Sequence, residues 1–236
     1  MAAPRYWQIA SELNGWLTPR EGRFLHETAA SLSPGAHVLE IGSFLGRSTV
    51  CIAHGNDVRV TSVDPHIGSP KHEHLLGCLD TYPHFLQTLK RTGIREQVDP
   101  IHKASADAVH DVERPIDFLF IDGSHEEADV QRDFDDWYPK VKPGGIIAFH
   151  DSWHMSGARR VTNRILYRSA GVVGARLHDT ITVMKKAERP TAGERFSNRA
   201  FLVKRALIGF VGFLRLYYRG TRLERVPPLR GRGASA

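Results

Sequence analysis

Short uncharged runs of strand length alternate with polar stretches of helix length along most of this chain. Ile116-Asp-Phe-Leu-Phe-Ile121 and Ile146-Ile-Ala-Phe149 each stop at an acid, Asp122 and Asp151. Such runs read as buried parallel strands, and the segment Glu126 to Tyr138 between them reads as a surface crossover helix. Upstream, His37 to Ile41, Val58 to Val63 and residues 98–102 predict three more strands, the second ending at Asp64. Val172 to Leu177 and Thr180 to Met184 alternate instead, as an antiparallel pair joined at His178-Asp179. Helical spacing covers residues 5–32, divided by Pro19, then Phe85 to Arg91, closed by Thr92-Gly93, and Ala158 to Ser169. The first helical piece, with Tyr6, Trp7 and Trp16, either caps a ligand crevice or packs as an ordinary helix.

Strands alternating with helices predict an α/β fold with a doubly wound, mostly parallel sheet. In such sheets ligands bind at the carboxyl ends of the strands. Asp122-Gly-Ser-His125 and His150-Asp151-Ser-Trp-His154 would therefore face one crevice. Asp122 and Asp151 would equally suit the N-caps of the helices that follow, and that structural role stays open.

Between the first strand and its helix lies Gly42-Ser43-Phe44-Leu45-Gly46-Arg47-Ser48. Glycines there let a ligand approach the backbone, and the helix start offers unpaired N–H groups. The spacing departs from the dinucleotide pattern Gly-x-Gly-x-x-Gly. Glu40 ends the strand, an awkward neighbour for a pyrophosphate and a good one for an ammonium group. Asp64 is placed to accept hydrogen bonds from a ribose.

Val38-Leu-Glu40-Ile-Gly42-Ser-Phe-Leu-Gly46 resembles motif I of class I S-adenosylmethionine-dependent methyltransferases. Phe120-Ile-Asp122-Gly-Ser-His125 with Lys142-Pro-Gly-Gly-Ile-Ile-Ala-Phe-His150-Asp151 is similar to a metal-dependent subgroup acting on sugars and glycosylated natural products. The resemblance covers residues 20–187. It implies a Rossmann-like seven-stranded sheet with an antiparallel last strand, and S-adenosylmethionine held by Glu40, Gly42, Ser43, Phe44, Gly46, Ser48, Asp64, Ser105, Ala106 and Asp122. It also implies a divalent cation, Mg²⁺ or else Mn²⁺, on Asp122, His150 and Asp151, with Asp122 and His125 catalytic and His125 the general base. The subgroup commonly has Glu where His150 stands, and an imidazole suits Mn²⁺, Fe²⁺ or Zn²⁺ better than Mg²⁺. The acceptor implied is a sugar hydroxyl, in a saccharide, glycoside or polysaccharide precursor of the methylated mannose or rhamnose kind. Phenolic or macrolide-type acceptors, and a non-catalytic cofactor-binding scaffold, are the alternatives. His154, His66 and Tyr82 are candidate acceptor contacts, the last two flanking a turn-rich stretch with His72 and His74.

With 236 residues, 41% of them hydrophobic, the chain is long enough for one such domain. The expected layout is a helical cap (1–35), the methyltransferase domain (36–187) and a C-terminal extension (188–236). Cys51 and Cys78 make no disulfide or zinc framework, and the first residues lack a signal-peptide core, so a cytoplasmic location is expected. The formal charge of +6 is uneven: residues 190–236 carry ten Lys/Arg against two Asp/Glu, leaving the remainder slightly acidic. Nucleic acid is thus not an expected partner. Residues 201–222 read as a cationic amphipathic helix, with Lys204, Arg205, Arg215, Arg219 and Arg222 along one side. Its uncharged centre is too short to span a bilayer. Three readings stand open: peripheral membrane contact through 200–222 at the inner face, docking on its own domain, or a homodimer. The end, from Pro227, is expected to be disordered.

Overall fold

The computed structural model describes residues 3–68, 80–154 and 156–223, with side chains through Ile208. His72, His74, Cys78 and the end from Pro227 lie outside the described residues, as do the side chains of Arg215, Arg219 and Arg222. Seven strands run β1 (Ala36–Ile41), β2 (Val58–Val63), β3 (Val98–Ile101), β4 (Ile116–Ile121), β5 (Val141–Phe149), β6 (Val172–His178) and β7 (Ile181–Lys186). Their order across the sheet is β3-β2-β1-β4-β5-β7-β6. Neighbours from β3 to β5 pair in parallel, and β7 runs opposite to both β5 and β6. The chain reverses its direction of winding between β1 and β4, which is where a crevice opens in folds of this type.

Eight helices flank the sheet among the described residues: α1 (Arg5–Ser11), α2 (Pro19–Ala30), α3 (Arg47–Ala53), α4 (Tyr82–Thr92), the single turn α5 (Ser105–Ala108), α6 (Glu127–Trp137), α7 (Ser156–Arg168) and α8 (Ala192–Leu223). Strand alternation divides the core in two. Val38, Phe118 and Phe120 join Leu25, Ile52 and Phe85 on one face, while Leu39, Leu119 and Ile121 join Trp137, Val161 and Leu166 on the other. Burial on both faces is why β4 reads as an unbroken apolar run.

Two expectations are corrected by the fold. β5 begins at Val141, not at Ile146, because Lys142-Pro-Gly-Gly pairs beside Ile116 before a register shift carries the ladder to Phe118↔Ile146. Gly144, at φ 79°, provides the left-handed residue of this irregularity, and Pro143 is tolerated there. The second correction concerns α8. Arg205, expected along one side with the other cations, is buried, apart from exposed Lys204, and Val203 and Leu207 are exposed. Helix α7 and strand β7 offer amide and hydroxyl partners to Arg205, while Phe201 and Leu202 pack against the core. No helix among the described residues is long and apolar enough to cross a membrane.

Candidate active site

A cavity of about 920 Å³ opens at the carboxyl ends of β1, β2, β4 and β5. One half is built around the glycine turn. Gly42 sits at φ 85°, and a Cβ there would lie 2.2 Å from the Asp122 carbonyl oxygen, so this position excludes any larger residue. Asp64 Oδ2 accepts the N–H groups of Ser43 and Phe44, both at 2.8 Å, and Oδ1 accepts that of His66 at 2.7 Å. The acid expected to take a ribose therefore also fixes the turn that carries the ligand wall. Phe44 (φ 48°), His66 (φ 49°) and Asp151 (φ 49°) are left-handed residues just beyond β1, β2 and β5. Strained backbone of this kind collects where a site must hold its shape.

Glu40, expected to hold the cofactor's amino group, is not among the residues that line the cavity. It is fully buried behind the turn, where Oε2 accepts from Thr49 Oγ1 and Ser62 Oγ while Oε1 has no partner. Burial pushes its pKa up to about 7, against hydrogen bonds from Ser48 and Thr49. Ser43 Oγ, at the wall, is likewise buried without a partner. Unpartnered polar atoms beside a backbone cradle suit a ligand with its own donors and acceptors, and the residues present fit S-adenosylmethionine. Ser48 lines the cavity, and Ser105 and Ala106 form another part of its wall. Ser105 Oγ accepts the Trp137 indole N–H at 2.7 Å and meets Asp133, whose carboxyl burial pushes up to about 6.

The other half is a chain of opposite charges. His150 Nδ1 lies 2.8 Å from Asp122 Oδ1 and 3.8 Å from Asp151 Oδ2, the nearer contact being off the line of the ring nitrogen. On the far side of the ring, Nε2 lies 3.4 Å from Glu21 Oε2. Burial lowers the pKa of His150, but Asp122, Glu21 and Asp151 outweigh it and hold the imidazole charged well above its ordinary range. Glu21 is itself buried. It accepts Thr180 N–H at 3.1 Å and Thr18 N–H at 2.9 Å, and with His150 these bonds hold its pKa far down despite burial. His125 Nε2, partly exposed, stands 3.7 Å from Asp151 Oδ2. Its loop is pinned from behind, since a Cβ at Gly157 would lie 2.1 Å from the His125 carbonyl oxygen, and Arg160 and Arg164 both bind Glu127.

The expected metal set of Asp122, His150 and Asp151 does not assemble as a metal centre. Among the described residues, no group of three or more His, Cys, Asp or Glu side chains could hold a metal ion. His150 Nδ1 and Nε2 lie near Asp122 and Glu21, at 2.8 and 3.4 Å, so as placed these side chains do not form the expected three-ligand set.

The expected acceptor contacts are also displaced. His66 is buried, with Nδ1 2.9 Å from Thr81 Oγ1, and Tyr82 stacks on His102 with ring centroids 4.2 Å apart. Neither is among the residues that line the cavity, and their rings meet with centroids 5.2 Å apart. His154 is exposed outside the lining residues. In their place stand Asn14, Gly15, Trp16 and Leu17, a wall carried by the segment after α1. Arg47 ties that wall down, donating to the carbonyls of Ala10, Gly15 and Leu17 at 3.1, 2.6 and 3.2 Å.

The sequence offered one signal for Glu21, the capping-box pattern Thr18-x-x-Glu21, and that pattern speaks only of a helix start. Asp133 and the Asn14–Leu17 wall carry no local signature of a site.

Residues 39–152 match a family described as a methyltransferase domain. The uncharacterized protein y4gI of Sinorhizobium fredii is 28% identical over 152 residues, 59% of this chain. That stretch is only 15% of the relative's own length. An O-methyltransferase from Bacillus cereus in complex with SAH superimposes with a TM-score of 0.56 at 18% identity, covering 77% of this chain and 88% of that one. The MycE methyltransferase of the mycinamycin pathway, in complex with Mg and SAH, does so with a TM-score of 0.53 at 18% identity, covering 79% and 55%. The match runs from β1 past the end of β5, so residues 39–152 are similar to a methyltransferase domain, and the seven-stranded sheet of this order has the fold of the O-methyltransferases it superimposes on.

Proposed function

We propose that the chain transfers a methyl group from S-adenosylmethionine to a hydroxyl of a saccharide or glycoside. The observation that carries this reading is the placement of His125, Asp151 and Asp122 in the same cavity as the Gly42–Gly46 turn. S-adenosylmethionine, when bound, supplies a methyl already activated on a sulfonium. The chain's own work is to orient the acceptor oxygen and to take its proton.

His125 is the partly exposed base, and Asp151 at 3.7 Å stabilises the imidazolium it becomes. The proton passes from the acceptor hydroxyl to His125 as the O–CH₃ bond forms and the S–CH₃ bond breaks. His150, buried between Glu21 and Asp122, holds the Asp122 side chain in place at the crevice. No step is routed through a metal ion. Ser124, His125, Asp129 and Arg132 line this side. A polar wall supports a hydroxylated acceptor over a phenolic or macrolide-type one, which would call for a more apolar crevice. Trp16, well exposed at the rim, offers the flat face on which a sugar ring stacks.

Methyl transfer from labelled S-adenosylmethionine to mono- and oligosaccharides, alongside catechol-type acceptors, tests this reading with and without chelator. Labelling of a saccharide that survives chelation is the expected result. Labelling of phenols only would overturn the acceptor assignment, and strict dependence on added Mg²⁺ would overturn the role given to His150.

A further inference from the structure

Helix α8 meets the domain with Phe201 and Leu202 and with two buried polar side chains, Asn198 and Arg205. Asn198, fully buried, donates from Nδ2 to the Val172 carbonyl at 2.9 Å and to Ser169 Oγ at 3.2 Å, and its Oδ1 accepts Ala175 N–H at 3.3 Å. Arg205, only 6% exposed, donates to Thr182 Oγ1 at 2.8 Å and to Asn163 Oδ1. Outside, beside exposed cations, stand large apolar side chains: Phe196 is 73% exposed, Val203 61%, Leu207 60% and Ile208 51%. Phe196, Val203 and Leu207 follow one another at helical intervals and form one line along the surface. Tyr167 of α7, also exposed, stands beside this line, with Arg199 over its ring.

A helix that leaves a line of large apolar side chains exposed after packing on its own domain is completed by a further apolar surface. The charge along it says which. From Arg195 to Arg222 the chain has seven Lys/Arg and no Asp/Glu. Arg199 and Lys204, both exposed, flank the stripe. A second copy of this helix would set cations against cations, whereas an anionic lipid surface supplies both apolar depth and negative charge. No described helix can span a bilayer, so the helix would lie in the plane of the interface.

We propose that α8 is a docking surface for an anionic membrane, with Phe196, Val203 and Leu207 set into the headgroup boundary and the flanking cations against lipid charge. The full chain is sedimented with vesicles of phosphatidylcholine alone and of phosphatidylcholine mixed with phosphatidylserine. The same is done with Val203→Ser/Leu207→Ser, which keeps the charge and alters only exposed side chains. The expected result is retention on the mixed vesicles that weakens with salt, is lost on neutral vesicles, and falls about tenfold or more in the double variant. An unchanged thermal midpoint shows that the variant is folded. Absence of retention on anionic vesicles at low salt overturns the proposal, as does equal retention of the double variant. A wild-type dimer that the double variant converts to monomer, by light scattering, also overturns it and makes the stripe a subunit seam.

Discussion

At the ends of β1 and β2 the acids Glu40 and Asp64 face neutral donors from nearby chain: Thr49 nine residues on from Glu40, and the Ser43 and Phe44 amides about twenty residues before Asp64. At the ends of β4 and β5 the acids face imidazoles, and His150 is gripped from behind by Glu21, 129 residues away in sequence. The first half is a frame of short-range hydrogen bonds that shapes a backbone cradle. The second is a set of coupled charges whose alignment depends on where α2 packs. Cofactor binding should therefore tolerate damage to the second half, and turnover should not.

The largest expected effect comes from His125→Ala. Loss of a general base lowers turnover by about 10²–10⁴-fold. Affinity for S-adenosylhomocysteine, measured by calorimetry, should stay near that of the unaltered chain, because the glycine turn lies on the opposite wall. A variant that keeps most of its turnover removes His125 as the base, and one that loses cofactor affinity in parallel erases the distinction between the halves.

Glu21→Gln comes next. Removing one partner of a buried ion pair costs about 3–5 kcal/mol, because the remaining charge is left uncompensated. The pH window follows from the two shifts. Glu21 is lowered from 4.5, so its contribution is present above 4.5 and lost as pH falls toward about 2. His150 is raised from 6.5, so its contribution is present below 6.5 and lost as pH rises toward about 11. The stability gap between the two chains should be widest between those unfolded values and shrink on either side. Urea unfolding at acidic, near-neutral and alkaline pH measures it, and a gap independent of pH would mean the pair is not charged.

Glu40→Gln should act in the opposite sense. The folded carboxyl keeps its proton to about 7 while the unfolded one ionises near 4.5, so the unaltered chain loses stability as pH rises between those values. At about 1.4 kcal/mol per pH unit this amounts to roughly 3–4 kcal/mol, and the variant should regain it at pH 8. Thermal midpoints across that range would show the slope vanish. A variant less stable than the parent at pH 8 would mean that Glu40 is ionised in the fold.

Much of the frame was legible in the residues. β4 declared itself because a strand buried on both faces leaves an unbroken apolar run. The Gly42–Gly46 turn declared itself because only glycine tolerates the approach of the Asp122 backbone, and Asp122, His125 and Asp151 because they follow directly on strand ends. His66, Tyr82 and His154 could not be judged this way. A histidine on a loop reads the same whether its ring points at a ligand or at Thr81, and a left-handed residue at His66 leaves no trace in the spacing. Glu21 was hidden for a related reason, since its capping role fully accounts for its place in the sequence.

What the amino-acid sequence by itself determined is the order of strands and helices, the glycine cradle and the acids at the strand ends. All of these follow from periodicity, backbone sterics and turn chemistry acting over a few residues. Only the tertiary structure decided that His150 sits between Glu21 and Asp122, and that α8 turns an apolar stripe outward. Both depend on which side chains meet across the packed core, where a buried charge or hydroxyl must find its partner from whatever element lies opposite.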